Sequence, residues 1–216
     1  MRSIPLACVL GATLGCGSAG TPPPGPVAPA PATRRAAAPA APVVSPALAE
    51  LLRGDLAADR AFPWSATRRL AWADFQGLPP ADGPLGAMTA YTLYYAWKCR
   101  GERFEFHAIA GFRPRASWVK RAILNDPEQR RSALAHEQTH FDLTELHARI
   151  MRRRFAELGA PCRKTDAELE ALARRLVQDE KTEQRRYDRE TDNGRLDGPQ
   201  AAWTDAVTRR LAILPH

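Results

Sequence analysis

One long, well-capped helix sets the terms for everything else this chain is able to build. Asp126 stands at the N-cap position, Pro127 fits the first helical position, where a missing N–H is no loss, and Gln129 completes a capping box. The helix is expected to run on to Leu158, with Gly159 as its terminator. His136 and His140 fall in its first half, and Leu143, His147 and Ile150 continue their face. The two histidines therefore lie on a stripe that turns inward, where solvated side chains are not expected.

Residues four apart on an α-helix differ by about 40° of azimuth and one turn of rise, so His136 and His140 project side by side. Two imidazoles so placed bind one Zn²⁺. Glu137, about 100° round the helix from His136, is near enough to take a proton from an activated water without being a ligand. With 5 His in 216 residues, chance gives the order His-Glu-x-x-His in well under ~1 in 100 such chains.

A second capping box, Thr165-Asp166-Ala167-Glu168, opens another long helix. Its stripe begins apolar with Leu169, Leu172, Ala173, Leu176 and Val177, then becomes polar with Glu180, Gln184, Tyr187 and Thr191, up to Gly194. Buried polar groups need partners, and a metal with its water supplies them. A catalytic zinc takes three protein ligands and keeps one position open. The short link around Cys162 implies an antiparallel helical hairpin, in which residues equidistant from the tip lie at similar heights. Reflection about position 162 sets His136 opposite Asp188 and His140 opposite Gln184. Asp188 is the best third ligand by height, Glu180 the best by helical face, and Glu183 stays open beside them. Asp142 and Glu145 rotate away from the histidine face, and His147 lies about 10 Å farther along the axis.

Upstream, the pattern changes to period two. Residues 88–99 place Tyr91, Leu93, Tyr95, Trp97 and Cys99 on one face of a strand, Arg100-Gly101-Glu102 reads as a hairpin turn, and residues 103–112 place Phe104, Phe106, Ala108, Ala110 and Phe112 on one face of the next. His107 falls on the opposite side and reads as a strand histidine rather than a ligand. Residues 45–60 suit a short helix with Leu48, Leu51, Leu52 and Leu56 at helical spacing, and residues 69–75 read as a strand. Residues 117–124 fit either a strand or a helical turn. Asp197-Gly198-Pro199-Gln200 opens a last helix through Trp203, Val207 and Leu211, read as a packing element. The expected fold is α+β: a small antiparallel sheet packed on a long-helix hairpin, zincin-like in carrying the histidine motif, plus a C-terminal helix.

The amino terminus reads differently. Residues 1–16 resemble a lipoprotein-type signal peptide, with an apolar run too short to span a bilayer and Gly15 before Cys16, the expected lipidation site. Residues 17–46 are a Pro/Ala-rich linker, unable to bury a core, and residues 47–216 form the folded domain. This predicts export, to the periplasm or to the envelope as a lipoprotein. In that oxidising setting Cys99 and Cys162 are expected to pair. The net charge of +7 comes largely from Arg, but its basic runs lack interleaved aromatics, and an exported protein is an improbable nucleic-acid binder. Nothing in the sequence fixes an oligomeric state.

Three stretches then fit one pattern: Trp72-Ala73-Asp74-Phe75-Gln76-Gly77 with Pro79; His136-Glu137-Gln138-Thr139-His140-Phe141-Asp142 with Glu145, Ala148 and Arg149; and Tyr187-Asp188 with Thr191 and Gly194. Together they resemble the bacterial domain-of-unknown-function family 922, described as predicted secreted zinc-dependent proteases, over roughly residue 69 to the C-terminus. The resemblance implies a zinc metallopeptidase-like domain with His136 and His140 as ligands, Glu137 as base, and Tyr187-Asp188 as part of the site. Where the family often has His before the last Gly, this chain has Asn193. The expected function is a secreted or envelope-anchored zinc metallopeptidase acting on peptide or protein substrates, with Tyr187 stabilising the oxyanion if its hydroxyl reaches the site. The alternative is a catalytically inactive zinc-binding envelope lipoprotein that serves as a binding or scaffold module.

Overall fold

The computed structural model of the chain describes residues 46–214. The expected leader, Cys16 and nearly all of the expected Pro/Ala-rich linker lie outside the described residues. In chain order the elements are α1 (Pro46–Ala58), β1 (Phe62–Pro63), β2 (Ala87–Met88), β3 (Tyr91–Arg100), β4 (Arg103–Phe112), β5 (Trp118–Val119), α2 (Arg121–Asn125), α3 (Pro127–Ala156), α4 (Asp166–Thr191) and α5 (Asp197–Ile213). The fold is α+β, with a three-stranded antiparallel sheet ordered β1-β4-β3 and a separate two-stranded sheet, β2-β5.

Alternation builds the larger sheet. β3 and β4 pair from Tyr91 opposite Phe112 to Arg100 opposite Arg103, and Gly101 closes the turn at φ 62°, a left-handed conformation that suits glycine. One face of β4 puts Phe106, Ala108, Ala110 and Phe112 against the long helices, each no more than 1% exposed. Phe106 stacks on Phe155 of α3 with ring centroids 4.0 Å apart, inside a cluster with Met151, Leu169, Ala173 and Leu176. On the other face Tyr94, Ala96 and Ile109 lie under Leu52 and Leu56 of α1. Leu51, expected on the buried stripe of α1, is 53% exposed, because Leu48, Leu52 and Leu56 alone satisfy the four-residue repeat.

Four local expectations change. Residues 69–75 are not a strand: Trp72–Asp74 is a 3₁₀ turn, held because Asp74 accepts from the Ala71 N–H at 2.8 Å. The strand expected over 88–99 divides at Thr89–Ala90, where the Ala90 N–H donates to Ser117 Oγ and the Ala90 carbonyl accepts from Arg113, so the chain passes from one sheet to the other. Residues 117–124 are both a strand and a helix, β5 followed by α2. α3 stops at Ala156, and the left-handed residue beyond it is Ala160 rather than Gly159.

Asp126 caps α3 through Glu128 N and Gln129 N, and Thr165 and Glu168 form the capping box of α4. Between these helices the turn Pro161–Arg163 is fastened to the end of β3 by the disulfide Cys99–Cys162. By chain entropy, a cross-link over a 63-residue separation is worth up to about 4 kcal/mol. Contacts between α3 and α4 run in antiparallel order: Phe155 shares a cluster with Leu169, His147 meets Glu183, and His136 meets Asp188. α5 lies across both, with Val207 against Leu143, Leu146 and Tyr187.

Candidate metal centre

α3 enters the protein at His136. Ala135 is exposed, and every residue from His136 to Arg149 is buried. The two imidazoles occupy the first buried turn, with their Nε2 atoms 3.0 Å apart. Asp188 on α4 sets Oδ1 at 3.3 Å from the Nε2 of His136 and 2.9 Å from that of His140. Donor atoms around a tetrahedral zinc with bonds of about 2.0–2.1 Å lie roughly 3.3 Å apart, so this triangle is close to one face of that tetrahedron. Among the described residues, His136, His140 and Asp188 form the group able to hold a metal ion.

Hydrogen bonds behind the rings decide which nitrogens are free. The Gln184 side-chain nitrogen is surrounded by acceptors, donating to the His140 carbonyl at 3.0 Å, to Thr144 Oγ1 at 3.2 Å and to Glu180 Oε1 at 2.8 Å. Its oxygen therefore faces His140 Nδ1, 2.7 Å away, and that nitrogen must carry the hydrogen. Gln200 of α5 does the same for His136. Its Nε2 donates to Thr204, its Oε1 accepts from the Tyr187 hydroxyl at 2.7 Å, and the same oxygen meets His136 Nδ1 at 3.0 Å. Both Nε2 atoms then present lone pairs to each other and to a carboxylate oxygen. Three electron donors held this way call for a cation between them.

The electrostatics agree. Burial lowers the pKa of His140, but the Asp188 hydrogen bond and the Glu137 charge outweigh it and raise the pKa above its ordinary value. Burial raises that of Asp188, yet its contacts with His136 and His140 hold it well below the usual carboxylate range. The place favours positive charge. Beside it Glu137 is 4% exposed, and its Oε2 is buried without a hydrogen-bond partner. His136, Glu137, His140 and Asp188 line a cleft of about 930 Å³.

The other expected site residues divide. Glu180 accepts from Gln184, and Glu183 pairs with His147 and Arg210, so of the three carboxylates weighed from the sequence it is Asp188 that meets both imidazoles. Tyr187 stacks on His136 with centroids 4.6 Å apart, but it is 0% exposed and its hydroxyl turns to Gln200 and the His136 carbonyl. It packs against the His136 ring, and its hydroxyl does not reach the cleft. Tyr91, on the first residue of β3, lines the cleft instead, its ring nearly parallel to that of His140 at 6.3 Å. Asn193 also lines the cleft, and it is exposed. Gly194, at φ 80°, lies so close to the His136 ring that a Cβ there would sit 2.8 Å from its Cγ.

Gln138 and Asp142 serve the scaffold. Asp142 accepts from the Trp64 indole at 2.7 Å, from Gln138 at 2.8 Å and from Arg69 at 3.1 Å, while the Leu70 N–H donates to Gln138 Oε1. This binds residues 64–70 to the turn that carries His136 and His140. Sequence reasoning missed Gln200 and Tyr91. The signal for Gln200 was a polar residue one turn before Trp203 on a helix otherwise read as packing.

Residues 115–194 match the family described as Bacterial protein of unknown function (DUF922). The likeness drawn from the motifs holds over that stretch, which includes α3, α4 and Gly194, while the Trp72–Pro79 motif and α5 lie outside it. No curated protein and no solved structure matches the chain.

Proposed function

We propose, from the premise that residues 115–194 carry the pattern of this family of unknown function, that the chain is a zinc-dependent peptidase, exported and held at the cell envelope by lipid on Cys16. One observation carries the reading: two imidazoles with committed Nδ1 hydrogens and one carboxylate oxygen converge beside an unpartnered, buried glutamate oxygen in an open cleft. His136, His140 and Asp188 would hold the zinc, which when bound polarises water and lowers its pKa towards ~7. Glu137 accepts the proton of that water on Oε2 and passes it to the leaving amine. Gln184 and Gln200 keep the rings aimed, and Tyr91 flanks the reacting group as a hydrogen-bond donor. A long helix bearing the motif, set against a small sheet with an open edge at β2, is the arrangement a zincin-like hydrolase needs for an extended peptide.

Elemental analysis of the purified full chain tests the metal: one zinc per chain is expected, and no stoichiometric metal sinks the reading. Glu137→Gln tests the chemistry. It is expected to keep its zinc and lose on the order of 10²–10⁴ in hydrolysis. Unchanged cellular function in that variant would favour a zinc-binding scaffold instead.

A further inference from the structure

We infer that the cleft receives an extended polypeptide on one side of the metal-binding triad only, so that the bond cleaved lies within a residue or two of a chain end. This rests on the peptidase reading and narrows its substrate to the termini of unfolded peptides.

The argument begins with how residues 86–91 track α3. Gly86 abuts the side chain of Ile123 just before α3, the Thr89 hydroxyl donates to the Glu137 carbonyl at 3.3 Å, and the Tyr91 ring lies against His140. The segment therefore runs beside the helix from its amino end toward the triad. One edge of this segment is occupied. Met88 pairs with Trp118, the Gly86 carbonyl accepts from Lys120, and both main-chain groups of Ala90 are bonded on that same side. In an antiparallel pair, main-chain groups alternate in direction, so Ala87 and Thr89 turn their N–H and C=O toward the cleft, which both residues line. A peptide strand added there gains main-chain hydrogen bonds whatever its side chains.

That template ends at the metal. From Tyr91 onward the chain belongs to the larger sheet, paired with Phe112 and beyond. The floor ends there as well: the residues of α3 that line the cleft run from Glu128 to His140 and no farther. One turn later Leu143 and Thr144 are 0% exposed, with Gln184 of α4 bonded to Thr144. Glu128 to His140 spans about 18 Å of helix, room for about five extended residues. Tyr91 and Asp188 line the cleft where this floor of α3 ends, so the lining leaves room beyond the triad for a short remnant of chain.

Peptides of eight residues, offered to the zinc-loaded full chain as free, N-acetylated, C-amidated and head-to-tail cyclic forms, test this by mass spectrometry of early products. The expected first product is shorter by one or two residues from a single end. Blocking that end slows the reaction at least tenfold, and the cyclic form is spared; which block acts reports the polarity of binding. N-methylation of the peptide main chain opposite Ala87 and Thr89 raises KM and leaves kcat nearly unchanged. Internal cleavage of blocked and cyclic peptides at rates like the free one overturns the one-sided groove and leaves the peptidase reading standing. Absence of any hydrolysis overturns both.

Discussion

The two ends of the α3–α4 pair are equally buried and are built on opposite principles. At the disulfide end Met151, Phe155, Leu169 and Ala173 close on Phe106 and Ala108, and packing alone satisfies them. At the other end His136, His140, Gln184 and Tyr187 are as deeply enclosed, and each polar atom has a protein partner except those aimed at the triad and the cleft. The apolar end holds the helices together. The polar end depends on that hold, since a triangle of two imidazole nitrogens and a carboxylate oxygen with sides near 3 Å needs fixed backbones behind it.

This contrast breaks if the ends prove interchangeable in what they support. The largest separation is expected from His140→Ala, which should weaken zinc binding by at least about 100-fold in chelator competition while the metal-free melting temperature moves little. Unfolding of that variant would mean that the polar end also bears the fold. Phe155→Ala is the mirror test. Deleting a ring 1% exposed and stacked at 4.0 Å should cost about 3–5 kcal/mol in denaturant unfolding, with zinc stoichiometry intact below the transition. Gln200→Leu sharpens the comparison from within the polar end: a 10–100-fold loss of zinc affinity is expected with near-normal stability, because the ring loses its orienting acceptor. The smallest effect concerns acid. Burial raises the Glu183 carboxyl, but hydrogen bonds from His147 and Arg210 prevail and hold its pKa at about 2, against an ordinary 4.5. A depressed carboxylate contributes stability above pH 4.5 and loses it as pH falls through about 2. Glu183→Gln should flatten the acid limb of a stability–pH curve, and an unchanged limb would remove Glu183 from the account.

Much of this was legible because the signals were local. Alternation from Phe104 to Phe112 fixed a face, Asp126 and Thr165 fixed helix starts, and the spacing of His136 and His140 placed two rings one turn apart. The equal-height argument even brought Asp188 forward among three carboxylates. What escaped depended on where atoms point after the elements meet. Tyr187 lies on the correct helical face, but only tertiary packing shows that its hydroxyl turns to Gln200 while Tyr91 looks into the cleft. A neutral amide such as Gln200 carries no charge signature, and on a helix of mixed polarity it reads as filler. Residues 69–75 went astray because one side chain, Asp74, captures the Ala71 N–H and bends a strand-like composition into a turn.

The turn at Asp192, Asn193 and Gly194 holds three successive left-handed residues, and the last of them leaves no room for a methyl group before the His136 ring. The protein thus uses bare main chain as a gauge, setting the tilt of the His136 ring by the thickness of a peptide plane. Gly194→Ala would need no new charge and no lost hydrogen bond to misalign the triad; it would act as a shim, and the displacement would be read first in the geometry of whatever ion is bound.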